Sequence, residues 1–239
     1  MMKNKLICLP HAGGDTSLFR EMTEAVNDEI ACYTLDYSGH GRRNKLPYYN
    51  NWDELTTDIA ALIGEIVEPN DDYVLLGYSM GTMAVYELLA RKLLEHAPMH
   101  LVLCSHEEPE VRWFDGNFAA LTDDEVADLI RNRGGINRID EKTLQNRVFR
   151  RMYFEPIKRD YELISNYRKT ECEPIDIPYT IMYSPEDISA ERIRSWDNIL
   201  SGPGEYIEFS GKHFFIKKHP AEVAKTINNI FEQLGGTYD

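Results

Sequence analysis

Short apolar segments alternate with longer segments along almost the whole chain. The short segments are rich in β-branched, aromatic and leucine side chains, and the longer ones carry apolar residues at helical spacing. Because strands separated by helices are typical of βαβ units, this order predicts an α/β fold with a mostly parallel sheet flanked by helices. Most of the strands are apolar on both faces, as interior strands covered on each side should be. The predicted strands are residues 5–9, 31–36, 73–77, 100–105, 179–183 and 205–209.

The intervening segments predict five helices. Pro98 lies just past the third of them, and Pro220 occupies the first turn of the last, a position that proline favours. The predicted helices are residues 17–26, 52–67, 82–96, 189–200 and 220–234.

The alternation breaks once, over residues 107–178, where a connection far longer than a simple crossover separates two strands. We therefore expect a single domain, residues 1–239, with a helical lid inserted at 107–178. Thr122 begins a pattern typical of a capping box, and helical spacing returns over residues 141–153. The glycine pair that starts at Gly134 is expected to separate two of these helices.

Composition narrows the classes of partner. The 239 residues carry 40 acidic and 26 basic side chains, a formal charge of -14, which opposes general binding to nucleic acid or to an anionic membrane. No apolar run reaches the length of a membrane span, and the apolar stretch at the start is too short for a signal peptide, so we expect a cytoplasmic protein. The four cysteines lack the paired short spacing of a zinc site or disulfide framework.

The most informative motif is a nucleophile candidate. Residues 77–81 are Gly-Tyr-Ser-Met-Gly, a G-x-S-x-G motif between the strand 73–77 and the helix that begins at Thr82. A sharp strand-to-helix turn lifts the serine hydroxyl above the sheet, and glycines are needed where side chains would collide with the neighbouring strand and helix. This context is typical of the α/β-hydrolase fold and makes Ser79 the predicted nucleophile. The alternative is a glycine-bounded turn with an ordinary serine.

A serine nucleophile needs a histidine base. In the α/β-hydrolase order the acid follows the serine and the histidine comes last. His213 fits this order because it lies in a loop after the last predicted strand and before the last helix. His219, next to Pro220, is expected instead to begin that helix. The alternative for His213 is a surface loop histidine.

The acid is expected after the preceding strand, where Glu186 and Asp187 are neighbours. We choose Asp187 because the shorter side chain makes a more rigid orienting hydrogen bond. Glu186, Glu107 and Glu108 remain alternatives. Asp187 has a structural alternative as well, since it could cap the helix that starts near Ser189.

A tetrahedral oxyanion needs two backbone N–H donors, one after the nucleophile and one from the loop after the first strand. Met80 and Ala12 are the candidates, the latter within Pro10-His-Ala-Gly-Gly. The two glycines of that loop could instead cradle a phosphate, although the chain has no G-x-G-x-x-G or P-loop pattern.

Together these segments resemble the type II, external thioesterases of nonribosomal peptide and polyketide synthesis. The resemblance covers nearly the full length and includes the segments 10–14, 37–43, 77–81, Gly134-Gly135, Arg159-Asp160 and 211–215, as well as Asp187 and Trp196. It implies hydrolysis of acyl or aminoacyl thioesters from the phosphopantetheine arm of a carrier protein, by Ser79, His213 and Asp187 and without a metal or redox cofactor. We expect a monomer whose partners are carrier domains. The alternatives are an esterase or lipase acting on free small esters or acyl-CoA, and a binding protein that has lost catalysis.

Three further features have two interpretations each. Residues 129–170 carry eleven basic and five acidic side chains, a net charge of +6 that could attract an acidic carrier or be an ordinary solvated surface. The turn with His40, Arg42 and Arg43 could be structural or lie near the phosphate of the arm. Aromatic and methionine side chains of the insertion could line an acyl pocket or form its own core: Trp113, Phe114, Phe118, Phe149, Met152, Tyr153 and Phe154.

Overall fold

A computed structural model of the protein describes residues 4–111, 116, 118–135 and 141–235. These residues form a six-stranded sheet in the order β2-β1-β3-β4-β5-β6, with every neighbouring pair parallel. Each predicted strand is present, with ends displaced by two residues or fewer, so the predicted parallel α/β architecture is confirmed. The strands are β1 (Asn4–Leu9), β2 (Ile30–Thr34), β3 (Tyr73–Tyr78), β4 (His100–Cys104), β5 (Tyr179–Tyr183) and β6 (Gly204–Glu208).

Helices connect the strands and cover both faces of the sheet. The predictions for 17–26 and 189–200 were wrong in extent, because short 3-10 helices, Thr16–Phe19 and Arg194–Asn198, take up part of each segment. The α-helices are α1 (Arg20–Thr23), α2 (Trp52–Ile66), α3 (Met80–Ala90), α4 (Asp123–Asn132), α5 (Glu141–Gln145), α6 (Arg147–Ser165), α7 (Ala190–Ile193) and α8 (Pro220–Gly235).

The third predicted helix, 82–96, was wrong at both ends. Helix α3 begins at Met80, and it ends at Ala90 because Lys92 adopts a left-handed conformation with φ of 55°. The N–H of Lys92 donates to Leu89 at 3.0 Å and that of Leu93 to Leu88 at 2.9 Å, the two bonds of a Schellman motif. Glycine usually occupies this position, so lysine hid the helix end.

The core lies in two layers, one on each face of the sheet. In β1, Leu6 and Cys8 point to one layer while Ile7 and Leu9 point to the other, and all four are fully buried. Burial on both faces explains why the central strands lack apolar–polar alternation. The edge strand β6 is largely exposed or half-buried.

The insertion forms a helical lid from α4, α5 and α6. The predicted capping box at Thr122 is confirmed, whereas the predicted helix over 141–153 is broken at Asn146, whose side chain caps α6. The lid has a small core of its own, and Met152 is 70% exposed. Trp113 and Phe114 lie outside the described residues. The buried residues of the lid core are Phe118, Val126, Ala127, Phe154 and Ile157, with Phe149 and Tyr153 packed against them.

A buried carboxylate fastens the end of the lid segment to the sheet-and-helix body of the fold. Glu87 in α3 is fully buried and accepts hydrogen bonds from Tyr167 Oη at 2.6 Å, from the Thr170 N–H and hydroxyl, and from Arg91 Nε at 2.5 Å. Four donors to one charge compensate its removal from water. Within the described residues, each helix is too short or too polar to span a bilayer.

Candidate active site

Ser79 occupies the turn between β3 and α3. Its backbone has φ of 54° and ψ of -115°, a region that side-chain-bearing residues rarely adopt and that is often found at functional sites. The turn is held by the Ser79 N–H, which donates to the carbonyl of Cys104 at 2.7 Å. The sharp strand-to-helix turn predicted for the G-x-S-x-G motif is present, and its backbone is strained at Ser79.

The glycines of the motif are required by crowding, as predicted. A Cβ atom added to Gly81 would lie 2.2 Å from the carbonyl oxygen of Leu9, and one added to Gly77 would lie 2.5 Å from that of Gly81. Both distances are far below a van der Waals contact with backbone that cannot move aside. The glycines therefore let α3 start directly against β1 and β3, with Ser79 at the apex.

The structure brings His213 and Asp187 together. Nδ1 of His213 lies 2.6 Å from Oδ2 of Asp187, and both side chains are buried. Asp187 follows β5 and His213 follows β6, so neighbouring parallel strands deliver the two residues to the same edge of the sheet.

The alternative acids have other partners. Glu186 accepts a hydrogen bond from the Gly211 N–H at 2.7 Å and, among the described residues, has no hydrogen bond to His213. Glu107 is paired with Arg192 at 2.5 Å, and within the described structure neither Glu107 nor Glu108 is hydrogen-bonded to His213. The structural alternative for Asp187 also fails, because Ser189 caps α7 through its own hydroxyl.

The two expected oxyanion donors are differently placed. Met80 is the first residue of α3, where an N–H has no partner inside the helix. In the loop after β1, the Gly13 N–H donates to Asp160 at 2.6 Å and the Gly14 N–H to His11 at 2.9 Å. In the described structure Ala12 is left with an unbonded N–H beside the cavity of Ser79. The occupied glycine donors do not favour the phosphate-cradle alternative.

Ser79 and His213 line one cavity of about 190 Å³ between the sheet and the lid. Among the described residues, no hydrogen bond joins the Ser79 hydroxyl to His213; such bonds often form only with substrate in place. The lid wall of the cavity is mainly apolar and includes both residues expected to line a pocket and residues of the lid core. It comprises Ile130, Met152, Tyr153, Ile157 and Tyr161, together with the charged Arg133.

Known proteins are similar to this chain in sequence and in fold. The model of the thioesterase domain family matches residues 4–231. The chain belongs to this thioesterase family. Gramicidin S biosynthesis protein GrsT of Aneurinibacillus migulanus is 23% identical over 229 residues, covering 92% of this chain and 86% of the relative.

Solved structures of thioesterases share the fold. The type II thioesterase BorB from the borrelidin biosynthetic cluster is 23% identical, with a TM-score of 0.82 over 95% of this chain and 92% of that one. ClbQ from the colibactin pathway is 21% identical, with a TM-score of 0.86 over 98% and 99%. The predicted α/β-hydrolase fold and the resemblance to type II thioesterases are confirmed.

Sequence reasoning missed Arg133, the residue that caps helix α4 of this thioesterase. Its Nη2 lies 2.9 and 3.1 Å from the two carboxylate oxygens of Asp187 and 2.7 Å from Nδ1 of His213. The lid therefore places a cation directly on the acid–base pair. Arg133 is separated from His213 by 80 residues, and no local motif signals the contact.

Burial and this cation shift both pKa values. Burial, followed by the charge of Arg133, lowers the pKa of His213 to about 4, although Asp187 acts in the opposite direction. Burial opposes ionisation of Asp187, but the hydrogen bond and charge of His213, together with Arg133, outweigh it and lower the pKa of Asp187 to about 2. At neutral pH the pair is therefore a neutral imidazole beside a carboxylate.

Two hydroxyl groups hold the backbone of His213. Tyr78 Oη donates to the His213 carbonyl at 2.5 Å, and Ser105 Oγ donates to the same oxygen at 2.9 Å. Tyr78 is the residue before Ser79, so the motif that places the serine also positions the histidine loop. The position of Tyr78 inside the G-x-S-x-G motif was the signal in the sequence that it lies near the catalytic residues.

Asp160 in α6 connects the lid to the loop after β1, residues 10–14, which we call the oxyanion loop. Besides accepting from Gly13, its Oδ2 lies 3.0 Å from Nε2 of His40, and both side chains are almost fully buried. Although burial lowers the pKa of His40, the charge of Asp160 and the hydrogen bond to it raise that pKa overall. Arg42 and Arg43 bind Asp36 and Asp58, so this turn is engaged within the protein.

Proposed function

We propose that the chain hydrolyses acyl or aminoacyl thioesters carried on the phosphopantetheine arm of carrier proteins in nonribosomal peptide or polyketide synthesis. The observation that carries the proposal is Ser79, strained at the apex of its turn, on the same cavity as the His213–Asp187 pair in a thioesterase-family chain. GrsT is named for gramicidin S biosynthesis and BorB for a borrelidin cluster, which supports this class of pathway. We further expect a cytoplasmic monomer.

In the proposed mechanism, Nε2 of His213 accepts the proton of the Ser79 hydroxyl as Oγ attacks the thioester carbonyl carbon. The carbonyl π electrons move to oxygen, and the N–H groups of Met80 and Ala12 stabilise the resulting oxyanion. The intermediate collapses, the carbon–sulfur bond breaks, and the pantetheine sulfur leaves with the proton from His213. Asp187 stabilises the imidazolium while it exists.

The second half repeats the chemistry with water. His213 accepts a proton from a water molecule that attacks the acyl-serine carbonyl, and the same two N–H groups stabilise the second oxyanion. Collapse breaks the bond to Ser79 Oγ, which recovers its proton from His213. This half releases a carboxylic acid and regenerates Ser79. No metal or redox cofactor is needed for this proposed reaction.

The cavity favours short acyl groups. At about 190 Å³ it is smaller than the roughly 300–1,000 Å³ usual for drug-sized ligands. A relative from Anas platyrhynchos, 23% identical over 218 residues, is a medium-chain fatty acid synthase thioesterase. The small volume of the cavity at Ser79 makes a medium-chain substrate the less favoured candidate for this chain.

The test uses carrier proteins loaded with a graded series of acyl groups, with mass spectrometry before and after exposure to the protein. We expect short acyl groups to be released, and Ser79→Ala to release none. The same acyl group is then offered as acyl-CoA, together with a simple aryl ester. A large preference for the aryl ester would replace the proposal with the esterase alternative.

A further inference from the structure

The positive charge counted over residues 129–170 is largely neutralised by carboxylates of the lid. Four acidic residues just before the counted window change its balance, because residues 121–170 hold eleven basic and nine acidic side chains, a net charge of only +2. Four of the lid arginines and one lysine form ion pairs with carboxylates of the lid. The pairs are Arg131–Asp128, Arg150–Asp123, Arg150–Asp124, Arg151–Glu155, Lys158–Asp123 and Arg159–Glu162.

A second cavity, of about 720 Å³, is lined by more lysine and arginine side chains than the cavity of Ser79. We call this second cavity the basic groove. Its exposed cations are Arg20, Lys212, Lys217 and Lys218. Two carboxylates, Glu21 and Glu186, also line it, and that of Glu186 is bonded to the Gly211 N–H.

Three cations of the basic groove have no carboxylate partner in the part of the chain that the structure describes. Arg20, Lys212 and Lys218 form no ion pair with any described carboxylate, whereas Lys212 Nζ donates to the carbonyl of Asn132 at 2.8 Å and Lys218 Nζ to Ser210 Oγ at 3.3 Å. In a chain with a net charge of -14, this cluster is a local site of positive potential. Such a site attracts an anion.

The basic groove adjoins the cavity of Ser79. The two cavities share wall residues from the body and from the lid, so an elongated ligand can occupy both. A ligand with its reacting carbonyl at Ser79 would extend past the Phe214 ring toward the cations. The shared residues are Ser17, Leu18, Arg133, Tyr153, Phe214 and Lys217.

We propose that the basic groove binds the phosphodiester of the carrier's phosphopantetheine arm while the thioester lies at Ser79. The arm has a thioester at one end and a singly charged phosphate at the other, which matches a reactive cavity joined to a cationic one. Lysine and arginine donors to phosphate make charge-assisted hydrogen bonds. This inference rests on the proposed function and adds the place where the arm is recognised.

The experiment compares two substrates with one acyl group, acyl-pantetheine and acyl-4′-phosphopantetheine. For the wild type we expect kcat/KM to be about tenfold higher with the phosphate, the size of effect that one charged hydrogen-bonding site gives. In a triple variant, Arg20→Gln, Lys212→Gln and Lys218→Gln, this ratio falls toward one. The ratio cancels any general loss of activity because both substrates meet the same enzyme.

A charge-matched control removes three exposed lysines elsewhere, Lys45→Gln, Lys142→Gln and Lys225→Gln. It should keep the wild-type ratio. If the control loses the ratio as well, net charge and not the basic groove is responsible, and the inference is wrong. Acyl-CoA forms a third arm, since it carries the same 4′-phosphate and should respond to the triple variant in the same direction.

The outcomes separate the inference from the proposed function. If the wild type hydrolyses both small thioesters equally well, the phosphate site is absent while the hydrolase proposal stands. If neither the small thioesters nor any acyl carrier is hydrolysed, the proposed function itself fails. Should only acyl carriers be hydrolysed, free 4′-phosphopantetheine must inhibit that reaction better than pantetheine does, and the triple variant must abolish the difference; equal inhibition overturns the inference.

Discussion

Arg133 Nη2 lies 2.7 Å from Nδ1 of His213, the same nitrogen that lies 2.6 Å from Asp187 Oδ2. A guanidinium only donates hydrogen bonds, so Arg133 needs a lone pair on Nδ1, whereas a bond to the carboxylate needs a proton there. One ring nitrogen cannot do both. When neutral His213 accepts from Arg133, its proton lies on Nε2, and Nε2 then cannot take the proton of Ser79. Arg133 thus opposes the base form of the histidine.

Replacing Arg133 should therefore raise the pKa of His213. Arg133→Met removes the charge and the competing donor and leaves an unbranched apolar side chain in their place. We expect the acidic limb of kcat/KM to move to higher pH, with no loss of rate at neutral pH. Arg131→Met, which removes a lid arginine paired with Asp128, is the control and should leave the limb in place. Lower activity of Arg133→Met with an unmoved limb would show that Arg133 serves substrate binding instead.

Asp187 should outweigh Glu186 in catalysis. Asp187→Asn removes the charge that stabilises the imidazolium and holds the ring, and a loss in kcat on the order of 10³-fold or more is expected. Glu186→Gln keeps an oxygen that can accept from Gly211, so it should change kcat only a few-fold. Steady-state kinetics of the two variants decide the matter. The opposite ranking would identify Glu186 as the acid.

Acid should weaken the fold through His213. Its pKa of about 4 in the folded chain lies below the ordinary value of about 6.5, so the unfolded chain binds the extra proton first as pH falls. The free energy of unfolding should then decrease between pH 6.5 and 4, by up to about 3 kcal/mol from this residue. His100, whose pKa burial also lowers to about 4, adds to the decrease.

His213→Gln isolates the contribution of His213. Urea unfolding at several pH values should show a shallower pH dependence for the variant than for the wild type between pH 6.5 and 4. Parallel curves would mean that His213 titrates normally. The same low pKa predicts that wild-type kcat/KM stays nearly level from pH 8 to about pH 5 and falls only near pH 4, where the base becomes protonated.

Asp160 is expected to act as a positioning residue for the oxyanion loop. Asp160→Ala removes the acceptor for the Gly13 N–H and should lower kcat by roughly 10- to 100-fold with little change in KM, since the oxyanion forms only in the transition state. Asp160→Asn keeps an acceptor oxygen and should recover much of the rate. Glu162→Ala, a half-exposed carboxylate on the same helix, is the control. Equal loss of activity in the Ala and Asn variants would point to the charge beside His40 instead.

The features that sequence could predict are local. Strands, the crowded glycines around Ser79, and the loops that carry Asp187 and His213 each follow from a short pattern and from the order of elements. The choice between Asp187 and Glu186 needed the backbone, because adjacent side chains after a strand point in different directions. The early end of α3 escaped prediction because Lys92 occupies a glycine-like position.

Contacts between residues far apart in the chain could not be predicted from local sequence patterns. Arg133 meets His213, and Asp160 meets Gly13, across 80 and 147 residues respectively. The two interpretations of the lid charge could not be separated from sequence for the same reason, since a window along the chain does not show which carboxylates Arg150 and Lys158 contact. The surface charge of the lid can be judged only when the ion-pair partners of its charged side chains are known.

The most direct test is mass spectrometry of the intact protein, acid-quenched early in its reaction with a carrier bearing a short acyl thioester. We predict a transient mass increase equal to the acyl group, located by peptide mapping on Ser79, followed by free acid and deacylated carrier. Ser79→Ala should show neither the adduct nor the release. Release of acid from the carrier by Ser79→Ala at the wild-type rate, or an adduct on another residue, would contradict the assignment of Ser79 as the nucleophile of a thioesterase.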